Sequence, residues 1–179
     1  MRNIRIAGFG GSLRKGSYNR MLLQSASALM PGNSELRILD ISQIPLFNQD
    51  LESNPPSSVS EFKKGIKEAD GVLVVTPEYN YSIPGFLKNA IDWGSRPYGD
   101  NAFDGKHVAM MSAGGRLGGA RAQYHLRQVF VFLNMKPVNL PEVFVMNPAA
   151  VFGDDGSIKD DRVKENIREL LAKLVESCS

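Results

Sequence analysis

Cysteine is nearly absent from this 179-residue chain, which also has one tryptophan and two histidines. A single cysteine, Cys178, excludes an internal disulfide, so the fold has to rest on its own apolar core. His107 and His125 lie far apart, and neither an H-E-x-x-H pattern nor paired cysteines occur, so no metal site is expected. Long hydrophobic runs are missing as well. The longest, such as Val72-Leu73-Val74-Val75, reach four or five residues, against about 20 needed to cross a bilayer, which argues against a membrane protein. Nor does one sign of charge dominate: 21 Lys and Arg against 19 Asp and Glu leave +2, with no block of five like charges. A nucleic-acid or polyanion partner is therefore not indicated. The start, Met1-Arg2-Asn3-Ile4-Arg5-Ile6, enters a strand pattern at once and lacks the apolar stretch of a signal peptide. Together with the lone thiol, it reads as cytoplasmic.

What the chain does have is an ordinary globular balance, 42% hydrophobic and 22% charged. We expect one domain, 1–179, long enough to bury about 70% of its unfolded surface. Short apolar runs at 3–9, 34–39, 71–76, 106–112 and about 137–146 alternate with helix-length segments; Pro141 is a point where the last run can break. Leu22, Leu23, Ala26, Leu29 and Met30 make one helical stripe, and Val59, Phe62, Ile66 and Ala69 a second. Ile83, Phe86, Leu87, Ala90 and Ile91 make a third; Leu126, Val129, Phe130 and Leu133 a fourth; and Val163, Ile167, Leu170, Leu171 and Leu174 the last. Alternating βα order predicts an α/β fold: a three-layer, doubly wound, five-stranded parallel sheet. At this length the flavodoxin-like strand order 2-1-3-4-5 fits better than a six-stranded dinucleotide fold. Ligands bind such a sheet beyond the carboxyl ends of its strands, where the winding reverses, so the loops after residues 9, 76 and 112 carry the interest. The irregular stretch Asp40–Ser58 is too short to divide the chain and reads as a functional or packing loop.

The first loop, Gly8 to Asn19, combines glycines with Ser12, Arg14, Ser17 and Asn19 before a helix start. That set suits a terminal phosphate: backbone amides, neutral donors, the positive helix end and one full charge. A tight turn capped by Ser17 is the plainer alternative. The dinucleotide fingerprint G-x-G-x-x-G fails where Leu13 stands, although Asp40 occupies a place where a ribose-binding acid could sit; a P-loop and a nucleophile elbow also fail. The second loop, Thr76 to Gly85, gathers Pro77, Glu78, Tyr79, Asn80 and Pro84. It reads equally as a rigid edge for a flat heteroaromatic ring or as a turn starting a helix at Pro84. The third, Ser112 to Gly119, omits side chains and so lets backbone approach a ligand.

Three patterns together resemble the NADPH-dependent FMN reductase family. They are Gly11-Ser12-x-Arg14-x-x-Ser17-x-Asn19; Pro77-Glu78-Tyr79-Asn80-x-Ser82-x-Pro84-Gly85-x-Leu87-Lys88-Asn89-Ala90-x-Asp92-Trp93; and Ser112-x-Gly114 followed by Gly119-x-Arg121-x-Gln123. The similarity spans residues 3 to about 146, and the middle pattern is the most specific. The resemblance implies a flavodoxin-like fold, FMN as cofactor, NADPH or NADH as co-substrate, a small-molecule electron acceptor such as a quinone or free flavin, and dimers or tetramers. It implies that Ser12, Arg14, Ser17 and Asn19 hold the FMN phosphate; Pro77, Glu78, Tyr79 and Asn80 the isoalloxazine edge; and Ser112, Gly114 and Gly115 its other flank. No catalytic side chain is expected, because the cofactor carries the chemistry. The other candidate is a flavodoxin-like carrier that docks protein partners without oxidising nicotinamide. Such carriers are typically strongly acidic, and a charge of +2 weighs against that reading. Trp93, Met110 and Met111 are read as core, Lys88 and Asp92 as a helix-surface pair, and Cys178 as incidental at a fraying end.

Overall fold

The computed structural model describes residues 2–179. Strand β1 (Ile4–Gly10) already shows the division of the core, since Ile4 and Ile6 point to one face of the sheet and Ala7 and Phe9 to the other. There follow α1 (Tyr18–Ala28), β2 (Ser34–Ile38), α2 (Ser57–Glu68), β3 (Gly71–Val75), α3 (Gly85–Gly94) and β4 (His107–Ala113). The chain ends with α4 (Ala120–Phe132), β5 (Lys136–Pro137), β6 (Val143–Val145), the one-turn α5 (Pro148–Val151) and α6 (Asp161–Ser177). Every strand pairing is parallel, in the order β2-β1-β3-β4-β5. This is the flavodoxin-like order predicted from the alternation of elements.

The fifth apolar run differs from expectation in being two short strands. β5 pairs with the start of β4 at His107 and Val108, and β6 with its end from Met111 to Ala113. Pro141 lies between them and has no N–H to give to a ladder, so the break falls where the proline stands and the sheet has six strands.

Leu22, Leu23 and Ala26 of α1 and Ile167, Leu170, Leu171 and Leu174 of α6 cover the face that holds Ile6, Leu73, Val75 and Met111. Phe62 and Ile66 of α2, Leu87 and Ile91 of α3, and Leu126 and Phe130 of α4 cover the face that holds Phe9, Val72, Val74 and Met110. With helices on both sides, all five residues of β3 are buried, which is why its sequence is continuously apolar and not alternating. On the second face Phe9 meets Phe62 edge-on at 5.2 Å between ring centroids. α6 begins with Asp160, whose carboxylate accepts from the backbone N–H groups of Arg162 and Val163 at 2.9 and 3.1 Å.

Of the Asp40–Ser58 stretch, Ser57 and Ser58 begin α2, and the rest, with one 3-10 turn at Gln49–Leu51, is a loop strapped to α3. Trp93 Nε1 and Asn89 Nδ2 both donate to the Pro45 carbonyl, at 2.9 and 2.8 Å, and the Phe47 N–H donates to Asn89 Oδ1 at 2.7 Å. Trp93, Met110 and Met111 are core residues, and Lys88 and Asp92 pair on the helix surface at 2.7 Å. Cys178 is not at a frayed end. A methyl group placed on Gly71 would lie 2.6 Å from its sulfur, and burial pushes the thiol up to about 11, with the nearby Asp70 carboxylate adding to the shift. Among the described residues, no helix is long and apolar enough to cross a membrane. The described residues contain no cluster of His, Cys, Asp and Glu suited to a metal ion.

Candidate functional site

Because β1, β3 and β4 run parallel side by side, the loops that leave their carboxyl ends meet at one edge of the sheet. They enclose a cavity of about 380 Å³. Its wall on the first loop is Ser12, Arg14, Ser17, Tyr18 and Asn19; on the second, Pro77, Glu78 and Tyr79; on the third, Ala113, Gly114, Gly115, Arg116, Leu117, Gly119 and Arg121; Pro148 closes it from α5.

The first loop turns sharply out of the sheet, with the Gly11 N–H donating to the Val75 carbonyl at 2.8 Å. Gly11 lies close against the second loop, since a methyl group there would meet Thr76 Oγ1 at 3.0 Å and Pro77 Cδ at 3.3 Å. Ser17 caps α1, its hydroxyl oxygen accepting from the Asn19 N–H at 3.2 Å while the residue still lines the cavity. Both plain and functional readings of Ser17 are therefore compatible, because the accepting oxygen keeps a proton to donate. The Asn19 side chain is engaged within the chain. Nδ2 donates to the Ala113 carbonyl at 2.7 Å and Oδ1 accepts from the Ala113 N–H at 2.9 Å, bolting the first loop to the end of β4. Arg14 is exposed and makes no ion pair among the described residues.

The second loop is fixed by its own contacts. Tyr79 and Ser82 exchange both backbone hydrogen bonds at 2.9 Å across a tight turn in which Asn80 and Tyr81 have φ of 49° and 67°. A turn with two left-handed central residues favours glycine or asparagine, so a tyrosine there is strained by about 1–3 kcal/mol. Contacts around the turn hold it. Arg121 stacks over the Tyr81 ring, 3.6 Å from its centroid, and pairs through Nε with the Glu78 carboxylate. Glu78 also accepts from the Arg121 backbone N–H at 3.2 Å, at the positive end of α4. His125 Nδ1 meets Ser82 Oγ at 2.9 Å on the outer side.

In the third loop, methyl groups at Gly114 and Gly115 would meet nothing within 4 Å; Gly115, at φ 46°, also needs the left-handed backbone that glycine permits. Gly119 has φ 86°, and a methyl group there would lie 2.7 Å from Ser112 Cβ. Beneath it Ser112 and Gln123 are buried, with Gln123 Nε2 donating to Ser112 Oγ at 2.7 Å and to the Val143 carbonyl at 2.9 Å.

The structure thus gathers Ser12, Arg14, Ser17, Asn19, Pro77, Glu78, Tyr79, Gly114 and Gly115 around one cavity. It leaves two residues off its wall. Asn80 is exposed at the turn tip, and Ser112 is fully buried below Gly119. Sequence reasoning passed over Arg116 although it stands in the third glycine-rich loop. Gly119 and Arg121 belong to a recognised pattern whose geometry the letters do not show. Pro148, some thirty residues downstream, lies beyond the three patterns that carry the resemblance, in a segment after Met146 that matches the family less closely.

The match to the family model described as NADPH-dependent FMN reductase covers residues 4–149. An NAD(P)H-dependent FMN reductase of Pseudomonas aeruginosa is 47% identical over 174 residues, 96% of this chain and 94% of that protein. An NAD(P)H:quinone oxidoreductase of Solanum tuberosum is 48% identical over 178 residues, 96% of this chain and 91% of that protein. Among solved structures, the flavoenzyme NAD(P)H:(acceptor) oxidoreductase FerB from Paracoccus denitrificans superposes with a TM-score of 0.90 at 35% identity, covering 98% of this chain and 97% of FerB. With the flavodoxin-like sheet and the three converging loops in place, this chain belongs to the NADPH-dependent FMN reductase family.

Proposed function

We propose that this protein is an FMN-dependent NAD(P)H oxidoreductase that passes electrons from a nicotinamide to a quinone, a free flavin or a similar small acceptor. The observation that carries the reading is the composition of the cavity wall. Arg14, which makes no ion pair among the described residues, together with two serine hydroxyls and open glycine backbone, suits a phosphate and the edge of a planar ring. The one carboxylate in the wall, Glu78, is already paired with Arg121 and would not repel an anion in full. When bound, FMN supplies the redox chemistry, taking a hydride from the nicotinamide and releasing electrons to the acceptor.

The chain's own residues bind and orient. Arg14, the hydroxyls of Ser12 and Ser17 and the amides of the first loop hold the phosphate, while Asn19 keeps that loop docked on β4. Pro77, Glu78 and Tyr79 present the rigid second loop to one edge of the isoalloxazine, with Asn80 in the turn that stiffens it. Gly114 and Gly115 leave room on the other flank, over the Ser112–Gln123 support. The cavity's open side lets nicotinamide and acceptor use one position in turn, which supports a ping-pong sequence. Exposed Tyr98, Val131 and Phe132 support association of copies into dimers or tetramers. The free thiol and the need for nicotinamide support a cytoplasmic setting.

The test is anaerobic addition of NADPH or NADH to FMN-reconstituted, desalted protein. Retained flavin absorbance that bleaches on addition is the expected result. Retained flavin that stays oxidised would instead favour an electron carrier. Initial rates with quinone should give parallel double-reciprocal lines, and intersecting lines would overturn the ping-pong order.

A further inference from the structure

Three arginines line the cavity, and their surroundings differ. Arg121 is engaged by Glu78 and Tyr81. Arg14 lies over its own loop, with Nη1 3.3 Å from where a methyl group on Gly16 would stand. Arg116 is exposed, makes no ion pair among the described residues, and lines a second space as well as the first. That space is a groove of about 520 Å³ opening off the cavity past Tyr18, Gly115, Arg116 and Pro148, and continuing along Met146, Asn147 and Ala149. The Asn147 N–H donates to the Gly115 carbonyl at 3.2 Å, which fixes the groove wall to the loop that carries Arg116.

No carboxylate lines the groove, its walls are largely apolar, and its single charge is the Arg116 guanidinium at the junction. These features select for a flat apolar ring that bears an anion on the side facing the cavity. A dinucleotide whose nicotinamide enters the flavin cavity has to leave its adenosine half outside, and this groove is contiguous with the cavity. NADPH differs from NADH by one phosphate, on the adenosine ribose, and an unpaired guanidinium is suited to bind that group through a fork of donors. We infer that the Met146–Ala149 groove receives the adenine and that Arg116 binds the 2′-phosphate, so that Arg116 sets a preference for NADPH over NADH. The inference rests on the oxidoreductase reading above and deepens it.

The experiment uses FMN-loaded wild type, Arg116→Ala and Arg116→Lys. Binding of adenosine 2′,5′-bisphosphate and adenosine 5′-monophosphate is measured by calorimetry, alongside KM for NADPH and NADH and the affinity for FMN. Wild type should bind the bisphosphate about tenfold or more tightly than the monophosphate, as one charge-assisted contact allows. Arg116→Ala should remove most of that preference and raise KM for NADPH by a similar factor, leaving FMN affinity and KM for NADH unchanged. Arg116→Lys should keep part of it. Equal losses for both nucleotides, no loss for either, or a fall in FMN affinity in Arg116→Ala would overturn the assignment while leaving the oxidoreductase reading intact. A wild-type protein whose flavin neither nucleotide reduces would contradict both.

Discussion

The first and second loops leave adjacent strands of the same sheet, yet they handle charge in opposite ways. In the first, the cation Arg14 is exposed and makes no ion pair among the described residues, and the polar groups that are engaged, Ser17 and Asn19, organise backbone. In the second, the charge is closed on itself: Glu78 binds Arg121 and the start of α4, and Arg121 holds Tyr81 in a strained turn. The contrast teaches that a charged residue in a binding motif is not by that fact a ligand contact. On the assignment proposed above, the loop that receives the anion keeps its cation free of ion pairs, whereas the loop that presents a rigid edge uses its ion pair to stay rigid.

Substitutions can break or sharpen this comparison. The largest effect is expected where the rigid side has no slack. Gly119→Ala adds a methyl group 2.7 Å from Ser112 Cβ at a φ of 86°, at a cost of about 2–5 kcal/mol. Thermal unfolding should register it as a large fall in Tm together with lost flavin retention; a Tm within a degree or two of wild type would mean that the third loop relaxes freely. Arg14→Ala should come next, weakening FMN binding by about 1.5–3 kcal/mol with little change in Tm. Unchanged FMN affinity in a fluorescence titration would remove Arg14 from the phosphate site. Glu78→Gln should do the reverse. Its side chain is 13% exposed and that of Arg121 38%, so after allowance for solvent screening we expect about 1 kcal/mol of lost stability and a smaller loss of FMN affinity than Arg14→Ala. A larger loss of FMN affinity than in Arg14→Ala would show that Glu78 contacts the flavin directly. The smallest effect belongs to Lys88→Ala, which removes an exposed pair with Asp92 and should cost about 0.3–0.5 kcal/mol with flavin binding unaltered. Weakened flavin binding there would show that α3 positions the second loop.

Much of the frame was legible in the sequence because strands buried on both faces read as short continuous apolar runs, whereas amphipathic helices read as apolar stripes recurring at three and four residues. The division of the last strand was visible only as Pro141, since pattern alone does not say whether a proline bends a strand or ends it. Of the candidate site, the positions were legible and several orientations were not. Asn19 was read as a donor to ligand, but its amide faces Ala113, a residue 94 positions away on β4. Ser112 was read as a flank of the ring and lies beneath Gly119, because alternation along β4 turns its side chain inward. Nothing in the pattern of the third loop singles out Arg116, and only the meeting of that loop with Asn147 and Pro148 shows that it stands between two spaces.

The central claim, that the first loop binds the phosphate and the second the ring, is tested most directly by titrating wild type and Arg14→Ala with FMN and with riboflavin. The account predicts that wild type prefers FMN, and that Arg14→Ala loses most of that preference while its riboflavin affinity stays unchanged. Equal weakening toward both ligands, or a wild type that binds them alike, would contradict it.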